Sequence, residues 1–343
     1  MKSGSIIEKI ERAALCGRGG AGFSVASKWL AVKSALKSGT GGYIIVNAAE
    51  GEPGIKKDAY LLANDLELVI DGINISYNFL TKSKIKKIYF YTNKEYFKLY
   101  SKSILNVLKS DKKYSSLASK FEFFIKPVKP SYIGGEETAI INIIEGNRAE
   151  PKRRPPYPSD CGLLNLPTLI NNVETFHSVS LVDKNKYHGN RLYTISGAVK
   201  HKGVYSLPSE FSAEEILRAT NNYPNFDFFV IIGGEVCGEV LDSHQLLAPV
   251  EGSGFIKVFD KQKTDKEKLL DYWLKFYESE SCGLCTPCRE GSYRLREMVK
   301  KKKYDKQKFS DLLENLEQAS FCSLGSSLPQ TIKSYLENIY YKI

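Results

Sequence analysis

Three cysteines at consecutive C-x-x-C spacing, Cys282, Cys285 and Cys288 in C-G-L-C-T-P-C, constrain this chain more than any other feature. A thiolate must approach its metal to about 2.3 Å, and C-x-x-C puts two sulfurs on one tight loop. Three such thiols can hold three corners of a four-iron cube, and all-thiolate ligation suits an iron–sulfur cluster. The fourth corner has to come from elsewhere. Cys322, in S-F-C-S-L-G after a helical stretch, is the well-placed candidate. A four-cysteine zinc site is the structural alternative, although zinc would favour two separated C-x-x-C pairs. Cys16, Cys161 and Cys237 are isolated and read as small buried apolar residues.

This clustering has to be read against the compartment. The N-terminal stretch MKSGSIIEKIERAAL alternates in charge and has no apolar h-region, so a secretory signal is not expected. No apolar run approaches the about 18 residues that a spanning helix needs, so direct membrane insertion is not expected. A cytoplasmic chain with such spacing points to metal rather than disulfides. The net charge of +10 lies mostly on Lys, in runs such as Lys82 to Lys87 and Lys300 to Lys303. Those runs read as solvated surface, because a nucleic-acid patch would interleave Arg and aromatics along one element. Attraction for an anionic dinucleotide or an acidic partner subunit stays open.

At 343 residues, two or three domains are expected. The first part alternates strand and helix signals: Tyr43 to Val46 as a buried strand, Ala59 to Phe79 as a helix, then strands over Ile88 to Thr92 and Phe121 to Val128. That alternation predicts an α/β domain with a parallel sheet. Residues 151–176 form an extended, proline-heavy connection. Residues 190–260 are strand-like, with RLYTISGAV, FDFFVIIGG and GFIKVFD between glycine-rich turns. From Lys266 the pattern turns helical, over Leu269 to Tyr277, Glu290 to Val299, Phe309 to Ala319 and Leu328 to Tyr341. A small helical bundle interrupted by the cysteine loop fits that run.

Glycine clusters mark the first part. Gly17-Arg18-Gly19-Gly20-Ala21-Gly22-Phe23 precedes a helix over Ser27 to Leu36, an arrangement that can offer backbone N–H groups to a phosphate. It matches G-x-G-x-x-G poorly, so an ordinary strained turn is the competing reading. Arg18 and Lys28 could add charge there, or be plain surface residues. Asn47-Ala-Ala-Glu50-Gly51-Glu52 follows a strand, where polar groups commonly line a ligand crevice. Tyr132-Ile-Gly134-Gly135-Glu136-Glu137 sets two carboxylates after a double glycine, and a helix cap would explain one of them. Asn171-Asn172 alone reads as a turn. None of the four His residues sits in a recognisable acid–base motif, so no catalytic side chain is assigned.

Taken in order, GRGGAGF, VNAAEGEPG, YIGGEET, PTLINNVET and ESCGLCTPCREG resemble the NADH-binding flavoprotein (51 kDa-type) subunit of respiratory complex I. Relatives occur in NAD-linked hydrogenases and formate dehydrogenases. The resemblance runs from about residue 12 to 335. It implies a Rossmann-like FMN/NADH-binding α/β domain over 1–180, a small β-grasp (soluble-ligand-binding-like) domain over 190–260, and a helical 4Fe–4S domain over 265–343. By this resemblance Gly17, Arg18, Gly19 and Lys28 hold the FMN phosphate and ribityl chain. Asn47, Tyr132, Gly135, Glu136, Asn171, Asn172 and Thr175 complete the FMN site. Glu50, Glu52 and Glu137 match positions that hold the nicotinamide nucleotide, and Phe23 and Tyr157 would stack on its adenine. Cys282, Cys285, Cys288 and Cys322 match the 4Fe–4S ligands one for one.

The implied function is NADH oxidation, with hydride passing to FMN and electrons passing singly to the cluster. The implied partners are NADH, a small thioredoxin-like 2Fe–2S subunit, and a larger complex of the complex I, hydrogenase or formate dehydrogenase kind. The implied place is the cytoplasm, or the inner face of the membrane through that complex. Three departures stand out: Ala49 where the family usually has an Asp at the flavin, Ala31 where a second adenine-stacking aromatic aligns, and Gly134 for a common Cys. Ala49 and Ala31 suggest a competing function, a non-catalytic electron-relay and assembly subunit with a decayed flavin site.

Overall fold

A computed structural model describes residues 4–36, 41–129, 131–302 and 305–340. Lys303 of the lysine run and Tyr341 of the last helix expectation lie outside the described residues. The chain divides into two compact units, one of Met1–Gly51, Lys56–Val128 and Gly134–Asn190, the other of Glu52–Ile55, Lys129–Ile133 and Arg191–Ile343.

In the first unit, α1 (Ile6–Arg12) and α2 (Val25–Leu36) precede β1 (Gly42–Ala48). Helices α3 (Lys57–Asn64) and α4 (Leu66–Phe79) lead to β2 (Ile85–Thr92), and α5 (Lys94–Ser110) with the short α6 (Ser115–Ala118) to β3 (Phe121–Ile125). Helix α7 (Glu137–Ile144) then leads to β4 (Thr168–Asn172), which runs straight into α8 (Val173–Asp183). The sheet order is β3-β2-β1-β4, with every pair parallel. Such a sheet, covered by helices, belongs to the Rossmann-like α/β class, and β1 accordingly reads as a continuous buried run, Tyr43-Ile-Ile-Val. The strand order reverses between β1 and β4.

The expected helix over Ala59 to Phe79 is two helices. Asp65 breaks it, capping both ends with φ −131° and ψ 31°, a conformation that interrupts the helical bond ladder. The third strand stops at Ile125 rather than Val128, because Pro127 has no N–H for the ladder. Asn171-Asn172 is the end of β4 and not a turn: Asn172 caps α8, its side chain accepting from Glu174 N. The isolated cysteines are not buried; Cys16 is exposed, and Cys161 and Cys237 are half-exposed. Cys16 lies where the glycine loop closes against Ser24, and a surface hairpin has no core to bury it in.

The second unit opens with β5 (Asn190–Gly197), β6 (Gly203–Pro208), α9 (Ala213–Ala219), β7 (Phe228–Ile232), β8 (Glu239–Asp242) and β9 (Phe255–Asp260). These strands form a mixed sheet in the order β6-β5-β9-β7-β8, with β5 and β9 parallel and the pairs of β7 antiparallel. Helices α10 (Lys266–Glu280), α11 (Thr286–Lys300), α12 (Lys306–Ala319) and α13 (Ser323–Asn338) follow. Strand β7 shows why sheet and helices belong together. Its alternate residues Phe229 and Ile231 pack with Trp273, Leu316 and Ile332 of the helices, while Phe228, Val230 and Ile232 pack with Ile216 and Leu217 of α9. Among the described residues no helix is long and apolar enough to cross a membrane.

Candidate functional site

In an open parallel sheet, ligands bind beyond the carboxyl ends of the strands where the order reverses. Here that point lies between β1 and β4, whose register sets Asn47 beside Asn172. Asn172 Nδ2 donates to the Asn47 carbonyl at 3.3 Å. Asn47 Nδ2 donates to the Gly135 carbonyl at 3.0 Å, and its Oδ1 accepts from Ala49 N. The segments carrying Asn47, Gly135 and Asn172 therefore meet.

The glycine loop reaches the same place. Its base is closed by Gly17 N donating to the Phe23 carbonyl at 2.8 Å. Gly20 and Gly22 have φ of 110° and 62°, and a methyl on either would meet nothing within 4 Å, so the loop tip is open backbone. Gly19 faces Asn172, a methyl there lying 3.5 Å from its Cβ. Arg18 N donates to Thr175 Oγ1 at 3.0 Å, and Arg18 Nη2 to the Tyr187 hydroxyl at 2.6 Å.

The carboxylates are engaged within this unit. Glu50 accepts from Asp58 N at 2.8 Å and from the Tyr96 hydroxyl, at the start of α3. Its negative charge joins burial in holding the Tyr96 phenol well above its ordinary range. Glu136 is the N-cap of α7, accepting from Thr138 N and Ala139 N, and it pairs with Arg154. Glu137 pairs with Lys28, whose Nζ also donates to the Ile170 carbonyl. Asn171 is buried near Trp29 at the end of β4. Phe23 and Tyr157 expose 57% and 54% of their surface, unusual for aromatics and suited to receiving a planar ring.

Glu52 and Tyr132 are placed in the second unit, on the two short segments it takes from the first part of the sequence. Glu52 accepts from Val236 N at 3.0 Å and from the Cys237 thiol at 3.3 Å. Burial pushes the Glu52 carboxyl above its ordinary value, against the lowering effect of those bonds. Tyr132 N donates to Glu280 at 2.8 Å and its ring meets Phe276 edge-on.

The cysteine quartet gathers in the second unit around α11 and α13. Cys285 is the N-cap of α11 and Cys322 the N-cap of α13, and neither side chain is spent on a capping bond. Thiols at helix N-termini face backbone N–H groups and the positive dipole end, which favours the thiolate a metal needs. Cys285 and Cys288 are buried, with Cys282 and Cys322 packed against the same core. Burial, with a smaller contribution from the neighbouring cysteines, Cys282 included, pushes the Cys288 and Cys322 thiols up to about 11. Among the described residues no three His, Cys, Asp or Glu side chains are arranged to share one metal ion. In a four-iron cube each thiolate holds its own iron, so four neighbouring thiols fit that group without meeting at one point.

Sequence reasoning missed Lys57, Asp58 and Glu174, which are buried among the groups above. One signal was available. Glu174 is the lone acidic group in the first nine residues of α8, VETFHSVSL, a largely apolar stretch, and a carboxylate is rarely buried in such a helix without a partner.

The Nuo51 FMN-binding domain matches residues 10–181, and the NADH-ubiquinone oxidoreductase-F iron-sulfur binding region matches residues 268–342. The chain is 31% identical to the F subunit of NADH-quinone oxidoreductase in Aquifex aeolicus, over 98% of this chain and 84% of that one. It is 30% identical to the corresponding F subunit in Streptomyces coelicolor, over 98% and 82%. Its fold is similar to that of an NAD+-reducing NiFe hydrogenase in the H2-reduced state, with a TM-score of 0.87 at 28% identity. That match covers 97% of this chain but spans only 61% of the hydrogenase chain.

Proposed function

This chain belongs to the family of NADH-quinone oxidoreductase F subunits, and we propose that it oxidises NADH at an FMN bound by the first unit and passes electrons to a 4Fe–4S cluster on Cys282, Cys285, Cys288 and Cys322. It is an NADH dehydrogenase subunit and works within a larger electron-transfer complex. FMN, when bound, supplies the conversion of a two-electron hydride into single electrons, which a nicotinamide cannot release easily.

The chain's own residues bind and orient. The observation that carries the reading is the meeting of Asn47, Gly135, Asn172 and the glycine loop at the point where the strand order reverses. Gly17 and Arg18, their amides bonded at the loop's base, set the loop, Gly19 brings backbone to the FMN phosphate and ribityl chain, and Arg18 and Lys28 add charge there. Asn47, Gly135, Glu136, Asn171, Asn172 and Thr175 shape the remainder of that site. Glu50, Glu52 and Glu137 take the nucleotide, and Phe23 and Tyr157 its adenine. Acidic contacts at the ribose favour NADH over NADPH, and Arg154, which could have met an extra phosphate, is paired with Glu136. The functional division is an FMN/NADH domain over 1–180, a β-grasp domain over 190–260 and a cluster domain over 265–343. The mixed sheet with α9 on one face supports the middle assignment. The electron exit is a small thioredoxin-like 2Fe–2S subunit, in the cytoplasm or at the inner face of the membrane through the complex.

A relay subunit with a decayed flavin site is the second reading. Ala49 favours it, being a buried apolar residue where the family usually has an Asp. An anaerobic ultraviolet–visible spectrum before and after NADH separates the two. Flavin bands and a brown shoulder that both bleach support catalysis; a brown, flavin-free protein inert to NADH supports the relay.

A further inference from the structure

We propose that Lys57, aimed by Glu174, is a positioning residue that clamps the glycine loop at Arg18 for flavin binding. This rests on the FMN reading above and deepens it. Lys57 begins α3, and its Nζ lies 2.7 Å from Glu174 Oε2, with the two side chains 4% and 2% exposed. The same ammonium donates to the Arg18 carbonyl. On its other side, Arg18 N donates to Thr175 Oγ1, one residue beyond Glu174. A buried cation and a hydroxyl thus hold the two backbone groups of a single loop residue.

The neighbouring Asp58 extends the clamp. Its Oδ2 accepts from Asn172 Nδ2 at 2.8 Å, and its N–H donates to Glu50 at 2.8 Å. The Lys57-Asp58 pair therefore touches the glycine loop and the end of β4, two stretches assigned to FMN, and the segment after β1, assigned to the nicotinamide nucleotide. The loop tip has no packing of its own around Gly20 and Gly22, so its position must come from bonds at its base. A buried ion pair adds little net stability, because desolvation offsets the attraction. Its presence under the loop has a second use. Arg18 Nε and Asp58 Oδ1 are also buried without a partner among the described residues, as groups held ready for a ligand are.

The test is the charge-neutral double variant, Lys57→Met with Glu174→Gln, which removes the clamp without leaving an unpaired buried charge. It is made in the full chain carrying its cluster. The readouts are the FMN dissociation constant, the visible circular dichroism of bound flavin, iron content and melting temperature. The expected result is about tenfold weaker FMN, or ~1.4 kcal/mol, and an altered dichroism, with iron and melting unchanged. Unchanged affinity and dichroism overturn the inference. So does affinity that falls only in step with melting temperature, which assigns the pair to stability alone. Should the double variant not fold, Lys57→Arg, which keeps the buried charge but replaces the compact ammonium with a planar fork, is expected to weaken FMN about threefold, and equal affinity overturns the inference. An unaltered chain that binds no FMN sinks the FMN reading itself, and this inference with it.

Discussion

Gly72 offers a severe test of how the flavin site is supported. It lies in α4, where a methyl would stand 2.5 Å from the carbonyl carbon of Phe176 and 3.0 Å from its Cα, overlapping the carbonyl oxygen as well. Carbon atoms in contact prefer about 3.5–4.0 Å. Gly72→Ala must therefore part α4 from α8 by about 1 Å or more, and the obstacle is backbone, which cannot rotate away. Overpacking of this kind costs about 1–3 kcal/mol, and rigid backbone puts it near ~3. Alanine recovers about 1 kcal/mol of helix propensity. The net loss is about 2 kcal/mol, or roughly 4–8 °C in the melting of a domain of this size. Function follows, because α8 carries Asn172 at its cap and Glu174 and Thr175 in its first turn. Thermal melting followed by flavin fluorescence and by iron absorbance checks this. Flavin should leave at lower temperature while the second unit holds its iron. A Gly72→Ala chain that melts at or above the unaltered temperature would refute the reasoning, since only the propensity gain would then be expressed.

Cys322→Ser should remove the cluster, seen as lost iron and lost brown absorbance, while flavin content is kept; full iron in the variant would overturn the ligand assignment. Phe23→Ala, at a side chain 57% exposed, should raise the KM for NADH about threefold to tenfold, the loss of one stacking contact, with kcat and melting little changed. An unchanged KM would remove Phe23 from the nucleotide site. Burial, with the Glu50 charge adding to it, holds the Asp58 carboxyl well above its ordinary range. A carboxyl raised in the folded state contributes stability that is full below its unfolded pKa of about 3.9 and is lost as pH rises through the folded value. Asp58→Asn is neutral throughout, so it should compare better with the unaltered chain at pH 8 than at pH 5 in urea unfolding. An equal gap at the two pH values would refute the shift.

Features written locally were legible from sequence, and features written across the fold were not. The cysteine spacing and the glycine turns depend on residues a few positions apart, so the loop before α11 and the hairpin at Gly17 to Phe23 could be read directly. The strands of β1, β2, β5, β7 and β9 announced themselves as buried apolar runs. Strand β4 did not, because its last residues are Asn171 and Asn172, polar where the ligand crevice needs them. Helix α5 was missed although Phe97, Tyr100, Ile104 and Leu108 recur along it at helical spacing; only Ile104 and Leu108 of its 17 residues are buried. The Lys57–Glu174 pair spans 117 positions and exists only once α3 and α8 are packed. In sequence, each is simply a charged residue.

The same contrast bears on how the flavin site works. Several of the side chains assigned to the flavin and the dinucleotide already have partners inside the chain: Asn47 with Gly135, Glu50 with the start of α3, Glu136 with α7, and Lys28 with Glu137. Groups bonded in this way cannot swing to meet a ligand, but they arrive in fixed orientation, and binding then costs less ordering. What is left open is of a different kind. It is the backbone of the glycine loop around Gly20 and Gly22, and the faces of Phe23 and Tyr157. Open backbone suits a phosphate, which FMN and NADH both carry, and open ring faces suit a purine, which NADH alone carries. The fixed polar groups then act on the parts of those ligands that differ. In the proposed reaction FMN and NADH are bound at once, so that division would let one set of groups hold the flavin while the other receives the dinucleotide.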